Sequence, residues 1–295
     1  MKVTRAKVAL AAVASAAIAV SVLSPATAAT RSTVILHETN PITGLNCSMS
    51  ATNSTTCAAV SYLQGSGFNY YNNQKVIVKN TVFGSYKIVK NTANDFQVSY
   101  TVNPGRVWSD GTPITGVDLL LSHVLSSDEY SKAAGLGDPA SKTDTPAFNS
   151  LGYGGTYSSN IVGEPTLSAD KMTVTLKYKK PIANWDIYGP GPSPVHALVL
   201  MAEGKKGLQS AADNLAAKDR FLKAFQSKDK TLLSKIGKVW SNDYTITTVD
   251  DSTNPLLLVS NGGYIIKSAV AKTSVTLVKN AKYNSGPAMT GNIDT

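Results

Sequence analysis

Two carboxylates, one aromatic loop and two cysteines are the parts of this sequence with the types and spacing that chemistry needs. Asp110 and Asp118 flank Thr112-Pro113, and a pair of carboxylates can do acid–base work. The same residues have a structural use, because an Asp in a turn or before a helix accepts backbone N–H groups, and that reading is favoured. Trp185, Asp186 and Tyr188 lie in the Pro/Gly-rich stretch Pro181–Pro194. Aromatics on an irregular loop either line a ligand cleft or anchor the loop itself, and both uses fit. Cys47 and Cys57 stand close together in a Ser/Thr/Asn-rich stretch. There is no G-x-S-x-G elbow, H-E-x-x-H pair or P-loop, and three histidines are too few for a His-rich metal site. No catalytic residue, metal or cofactor is expected.

The elements that must hold these residues are partly legible. Phe96, Val98, Tyr100 and Val102 alternate with Gln97, Ser99, Thr101 and Asn103, which predicts a half-buried antiparallel strand stopped by Pro104-Gly105. Thr115 and Asp118 form a capping-box pair ahead of Val117, Leu120, Leu121, Val124 and Leu125 at helical spacing. His123 on that helix reads as structural. Met172–Tyr178 alternates as a second strand, and Val34-Ile35-Leu36 predicts a third. Val76–Val78 and Tyr86–Val89 predict two more, joined by a turn at Gly84-Ser85. Residues 44–67 read as polar loop and 132–160 as a long irregular connection. Helices are expected around 208–226 and 230–240, the second with Leu232, Leu233 and Ile236 inward. Tyr264-Ile265-Ile266 and Val275–Val278 predict a hairpin. Three Val-Lys-Asn endings, at Asn80, Asn91 and Asn280, read as strands running into Asn turns.

The 295 residues carry 28 Lys+Arg against 19 Asp+Glu, enough chain for a substantial core and neither a disordered tail nor a fibre. Lys2, Arg5 and Lys7 precede the apolar run Val8–Leu23, then Ser24-Pro25 and Ala26-Thr27-Ala28-Ala29. That order predicts a secretory signal peptide over 1–29, cleaved near Ala28 or Ala29, rather than a membrane anchor. Outside the cytoplasm two nearby cysteines pair, so a Cys47–Cys57 disulfide is expected. No cysteine near the cleavage site would take a lipid. Residues 171–240 hold 13 basic and 5 acidic groups. Their lysines alternate with Leu and Phe and have few aromatics to stack bases, so a solvated helix face is expected and nucleic acid is not.

The segment Val107-Trp108-Ser109-Asp110-Gly111-Thr112-Pro113-Ile114-Thr115-Gly116-Val117-Asp118 resembles the W-S-D-G-x-P-x-T-x-x-D signature of one family. These are the extracytoplasmic solute-binding proteins of peptide-type ABC importers, the oligopeptide/dipeptide/nickel class, family 5. Three further stretches resemble it in order: Met172–Tyr178 with Lys180-Pro181, then Pro194-Val195-His196-Ala197, then Asn261-Gly262-Gly263-Tyr264 with Val275–Asn280 and Tyr283. The resemblance covers roughly 34–290.

It implies an α/β fold, periplasmic-binding-protein-like type II (class C), that closes on a solute by domain motion and is not an enzyme. The partners implied are a peptide or other small solute and the membrane permease of a bacterial ABC importer, with the protein itself a monomer. Family members are longer, and their second lobe follows the stretch that matches Tyr264–Tyr283. The chain is therefore expected to hold the first lobe, a mixed sheet with flanking helices. The expected domains are 30–65 and 171–295 as two segments of lobe I, with a β-rich subdomain inserted over 66–170. The Trp108–Pro113 motif is expected to be a structural turn and helix entry that does not touch ligand. Trp185, Asp186, Tyr188 and Tyr264 are the candidate ligand-binding residues, since they lie where hinge side and ligand meet. The alternatives are an exported cell-surface interaction protein that keeps the fold without transport, and a secreted hydrolase using Asp110 or Asp118.

Overall fold

A computed structural model describes residues 32–187, 189–291 and 293–295. The expected signal segment and Tyr188 lie outside the described residues. Helix α1 (Thr55–Gln64) precedes the hairpin of β1 (Asn69–Tyr71) and β2 (Ile77–Lys79), then that of β3 (Gly84–Thr92) and β4 (Asp95–Val102). A 3-10 turn at Gly116–Leu119 leads into the short helices α2 (Leu121–Val124), α3 (Asp128–Ala133) and α4 (Thr156–Asn160). Strands β5 (Thr166–Leu167) and β6 (Thr173–Tyr178) come next. Then follow helices α5 (Val195–Ala202), α6 (Ala211–Ser227) and α7 (Lys230–Asn242). The hairpin of β7 (Tyr264–Val270) and β8 (Ser274–Lys279) is last.

The alternation read in Phe96–Val102 is what makes β4 central. The main sheet runs β3-β4-β6-β5, with Phe96 opposite Tyr178, Val98 opposite Leu176 and Tyr100 opposite Val174. Those six side chains are buried on one face. On the other face Ser99 meets Thr175 at 2.8 Å and Thr101 meets Thr173 at 2.9 Å through their hydroxyls. A one-residue slip would put the whole apolar set in water. The sheet also joins residues on both sides of the expected boundary at 170.

Helices α5, α6 and α7 pack together and share one hydrophobic core with this sheet. Ser210 caps α6, and Asp229 caps α7 by accepting from Thr231 N and Leu232 N. Lys228, in the left-handed region with φ 53°, turns the chain between them. Helix α7 buries Leu233, Ile236 and Trp240, each worth about 1.5–3 kcal/mol on transfer from water. Helix α5 is buried from Val195 to Met201.

The α/β class stands, and the solvated helix face is largely as expected, with Lys218 as a buried exception. Among the described residues the strands form three separate antiparallel sheets rather than one mixed sheet, and short turns close three of the pairs as hairpins. Val34-Ile35-Leu36 is not a strand. It is exposed, Ile35 by 76%, and Val34 N donates to Thr295 O. Gly84-Ser85 begins β3 instead of forming a turn, since β2 pairs with β1 and the turn falls on Asn80–Phe83. Asn80 and Asn280 each start a turn, accepting from Phe83 N and Lys282 N on their side chains, whereas Asn91 lies within the β3–β4 ladder. Within the stretch read as polar loop, Thr55–Gln64 is helical, capped by Ser54.

Candidate functional site

The Trp108–Pro113 turn is built by its own sequence. Val107 bridges Pro113, Trp108 N donates to Thr112 O at 2.9 Å and Gly111 N to Trp108 O at 2.8 Å. Gly111 sits at φ +96°, a conformation a β-carbon would strain. Asp110 Oδ1 accepts from Thr112 N at 2.9 Å, and the Thr115/Asp118 capping box is complete. To this extent both aspartates do the structural work read from the sequence.

Two helices then latch the turn through side chains far away in sequence. On α5, His196 Nε2 lies 2.9 Å from Asp110 Oδ2; the two side chains are 0% and 3% exposed. On α6, Asn214 Nδ2 donates to Thr112 Oγ1 at 2.8 Å and to Asp110 Oδ2 at 3.2 Å. One helical turn on, Lys218 Nζ donates to Pro113 O at 2.7 Å and to Asp118 Oδ2 at 2.6 Å, and this pair is 5% and 0% exposed. Burial pushes the Asp110 carboxyl up, but the hydrogen bond and charge of His196 and the Thr112 N–H outweigh it. The carboxyl is held below its ordinary range. Both carboxylates are thus buried, and Asp110 and the Oδ2 of Asp118 are held by fixed partners, which argues against the hydrolase reading.

The latch aims the rest of the turn at a cavity of ≈ 290 Å³. Ser109 N donates to Ser260 O at 2.8 Å, and Ser260 N donates back to Ser109 Oγ at 3.1 Å. Next to this clasp, Trp108 and Ser260 both line the cavity. Trp108 Nε1 and Ser260 Oγ are buried and have no hydrogen-bond partner among the described residues. The opposite wall is fixed as firmly. Leu45 N donates to Tyr244 O at 2.7 Å, Asn46 Nδ2 donates to Trp240 O at 3.1 Å, and the Cys47–Cys57 disulfide ties this loop to α1. Its Cα–Cα distance is 5.7 Å, and closing so short a loop stabilises by about 3 kcal/mol on the chain-entropy account. Asn261 grips both backbone groups of Ser66, accepting from its N at 3.1 Å and donating to its O at 2.9 Å.

Among the described residues, no acidic or basic side chain lines this cavity. Its walls combine aromatic and aliphatic side chains, Trp108, Trp240 and Leu198 among them, with uncharged polar ones such as Asn46, Gln64 and Ser260. A surface of this kind suits an uncharged polar ligand held by shape and hydrogen bonds.

The sequence-derived candidates are not gathered here. Trp185 packs beside Tyr86 and Phe96, and its O accepts from Tyr100 OH at 2.9 Å. Asp186 O accepts from Asn69 Nδ2 at 2.7 Å. Tyr264 lies on β7 and donates from its hydroxyl to Ile293 O at 2.9 Å. His123 is buried, with Nδ1 2.9 Å from Tyr157 OH. Trp108, which was expected to stand clear of ligand, is among the residues that line the cavity. Ser260, Trp240 and Tyr244 were missed. The signal for Ser260 was its place directly before Asn261-Gly262-Gly263-Tyr264.

No family model matches the chain, and no curated protein matches it in sequence. Solved structures do. A periplasmic EDTA-binding protein, EppA, superposes with a TM-score of 0.52 at 19% identity, covering 85% of this chain and 36% of that one. A periplasmic oligopeptide-binding protein of Borrelia burgdorferi gives 0.47 at 18%, with coverages of 83% and 39%. OppA of Haemophilus influenzae in complex with RPPGFSPFR gives 0.47 at 13%, with coverages of 83% and 37%. The likeness to EppA shows the fold, and it agrees with the resemblance read from the motifs. The chain spans well under half the length of each of these proteins.

Proposed function

We propose that this chain captures a small solute outside the cytoplasm, with peptide as the solute class, for delivery to the permease of an ABC importer. The observation that carries the reading is the cavity beside Trp108 and Ser260, which combines aromatic and aliphatic walls with uncharged polar side chains and, among the described residues, no charged one. A peptide supplies matching donors and acceptors in its backbone amides. The solved structures with this fold are titled as binding proteins, one for EDTA and others for oligopeptides, and among the described residues no helix is long and apolar enough to cross a membrane. Function then rests on binding and closure rather than on a reaction.

Calorimetry of the purified protein against di-, tri- and tetrapeptides tests this. Peptide binding is expected, with Trp108→Phe and Ser260→Ala each weakening it about fivefold, the effect of one lost neutral hydrogen bond. Absence of binding to every peptide, or equal binding by both variants, would overturn the reading. A second reading, an exported interaction protein, is favoured by the exposed Val34-Ile35-Leu36 strip, since such a patch suits contact with another polypeptide.

A further inference from the structure

A second cavity, of ≈ 520 Å³, lies away from the first and shares none of its lining residues. Its wall carries two cations, Arg106 and Lys279, and among the described residues no carboxylate. Lys279 reaches the exposed Asp294 at 3.0 Å, an ion pair that solvent screens. Arg106 has no acidic partner among the described residues. Its Nη1 donates to Asn284 O, and its Nε is buried with no partner. Among the described residues its Nη2 makes no hydrogen bond either.

Arg220 shows what that unspent edge is for. Its Nε and Nη2 together grip Glu203 Oε1 and Oε2 at 2.7 and 2.9 Å. Parallel N–H groups on one edge of a guanidinium match the two oxygens of a carboxylate. Arg106 lines the cavity and keeps its Nε without a partner among the described residues. The main chain beside it is rigid: Val107 N donates to Asn284 Oδ1 at 3.1 Å, and Asn284 Nδ2 donates to Gly105 O at 2.7 Å. Val82, Ala288 and Met289 supply an apolar wall to the same cavity.

We propose that this cavity is a binding site for a small organic acid, whose carboxylate pairs with the Arg106 guanidinium and whose apolar body lies against Val82, Ala288 and Met289. The site is separate from the solute cavity and does not depend on the peptide reading. The cation sets the sign of the ligand, and the apolar wall selects an organic acid over a bare oxyanion.

The test uses benzoate as the probe, with benzamide as its uncharged counterpart and inorganic phosphate as the bare anion. Two-dimensional NMR of the full chain should show saturable benzoate shifts at the Arg106 Nε–H and the Val107 and Gly286 amides. Benzamide and phosphate should give none. Arg106→Gln should weaken benzoate about tenfold or more, since hydrogen bonds to a charged group are lost. Ala288→Phe, which fills the cavity and leaves Arg106 in place, should block benzoate as well, and it stands as the test if the Arg106 variant does not fold. Absence of saturable shifts, equal response to benzamide, phosphate binding as tight as benzoate, or undiminished binding by either folded variant would overturn the proposal.

Discussion

Replacing Asp110 with Asn removes one charge and keeps the shape, so it isolates what the latch contributes. Asp110 accepts three hydrogen bonds, from Thr112 N at 2.9 Å, His196 Nε2 at 2.9 Å and Asn214 Nδ2 at 3.2 Å. In the variant the amide oxygen keeps Thr112, and the amide nitrogen then faces two donors. His196 can change tautomer to accept from it, but the proton then moves to Nδ1, which is buried with no partner among the described residues. Either way about two buried donors lose their acceptor, at roughly 1–3 kcal/mol each. The expected loss is about 3 kcal/mol, which for a chain of this size lowers Tm by roughly 6–12 °C. Urea unfolding followed by circular dichroism measures it. A double-mutant cycle with His196→Ala should give a coupling of about 1–2 kcal/mol. If Asp110→Asn melts with the parent, or if the two losses simply add, the latch is not holding the turn.

Lys218→Met leaves the Asp118 carboxylate buried without its cation and should cost about 3–5 kcal/mol, with part recovered in the Asp118→Asn/Lys218→Met double variant; denaturant midpoints decide it. Burial lowers the His123 imidazole from 6.5 to about 3, with the Lys228 charge adding to the shift. Between those values the unfolded chain binds a proton that the folded chain does not, so stability falls on acidification by up to about 1.4 kcal/mol per pH unit. His123→Phe should flatten that limb in urea midpoints taken from pH 7 to pH 4, and an unchanged slope would contradict it. The lowered Asp110 carboxyl acts at more acid pH, where its contribution is lost as pH falls through its folded value.

Legibility followed the local pattern. Phe96–Val102 and Met172–Tyr178 announced themselves because one face of each strand is buried and the other is not, which writes a period of two into the residues. The α6 and α7 helices were visible for the matching reason at a period near 3.6. Helix α5 was not anticipated as a helix, because Val195–Met201 is buried on every side and an all-apolar segment carries no periodicity. Helix α1 was hidden by the opposite composition, a Ser/Thr-rich stretch whose cap, Ser54, looks like any loop serine. Val34-Ile35-Leu36 had strand propensity and no strand, since propensity yields to whether a partner is in place.

By itself the sequence determined the turn chemistry of Asp110, Gly111 and Pro113, the Thr115/Asp118 box, the pairing of Cys47 with Cys57 and the family resemblance, because each depends on residues close together in the chain. Only the tertiary structure decided that His196, Asn214 and Lys218 hold that turn, and that Trp108 and Ser260 meet at one cavity. Those contacts join residues about 80 to 150 positions apart. Their spacing in sequence carries no period, and they exist because α5 and α6 are packed beside the turn by burial that is blind to chain order.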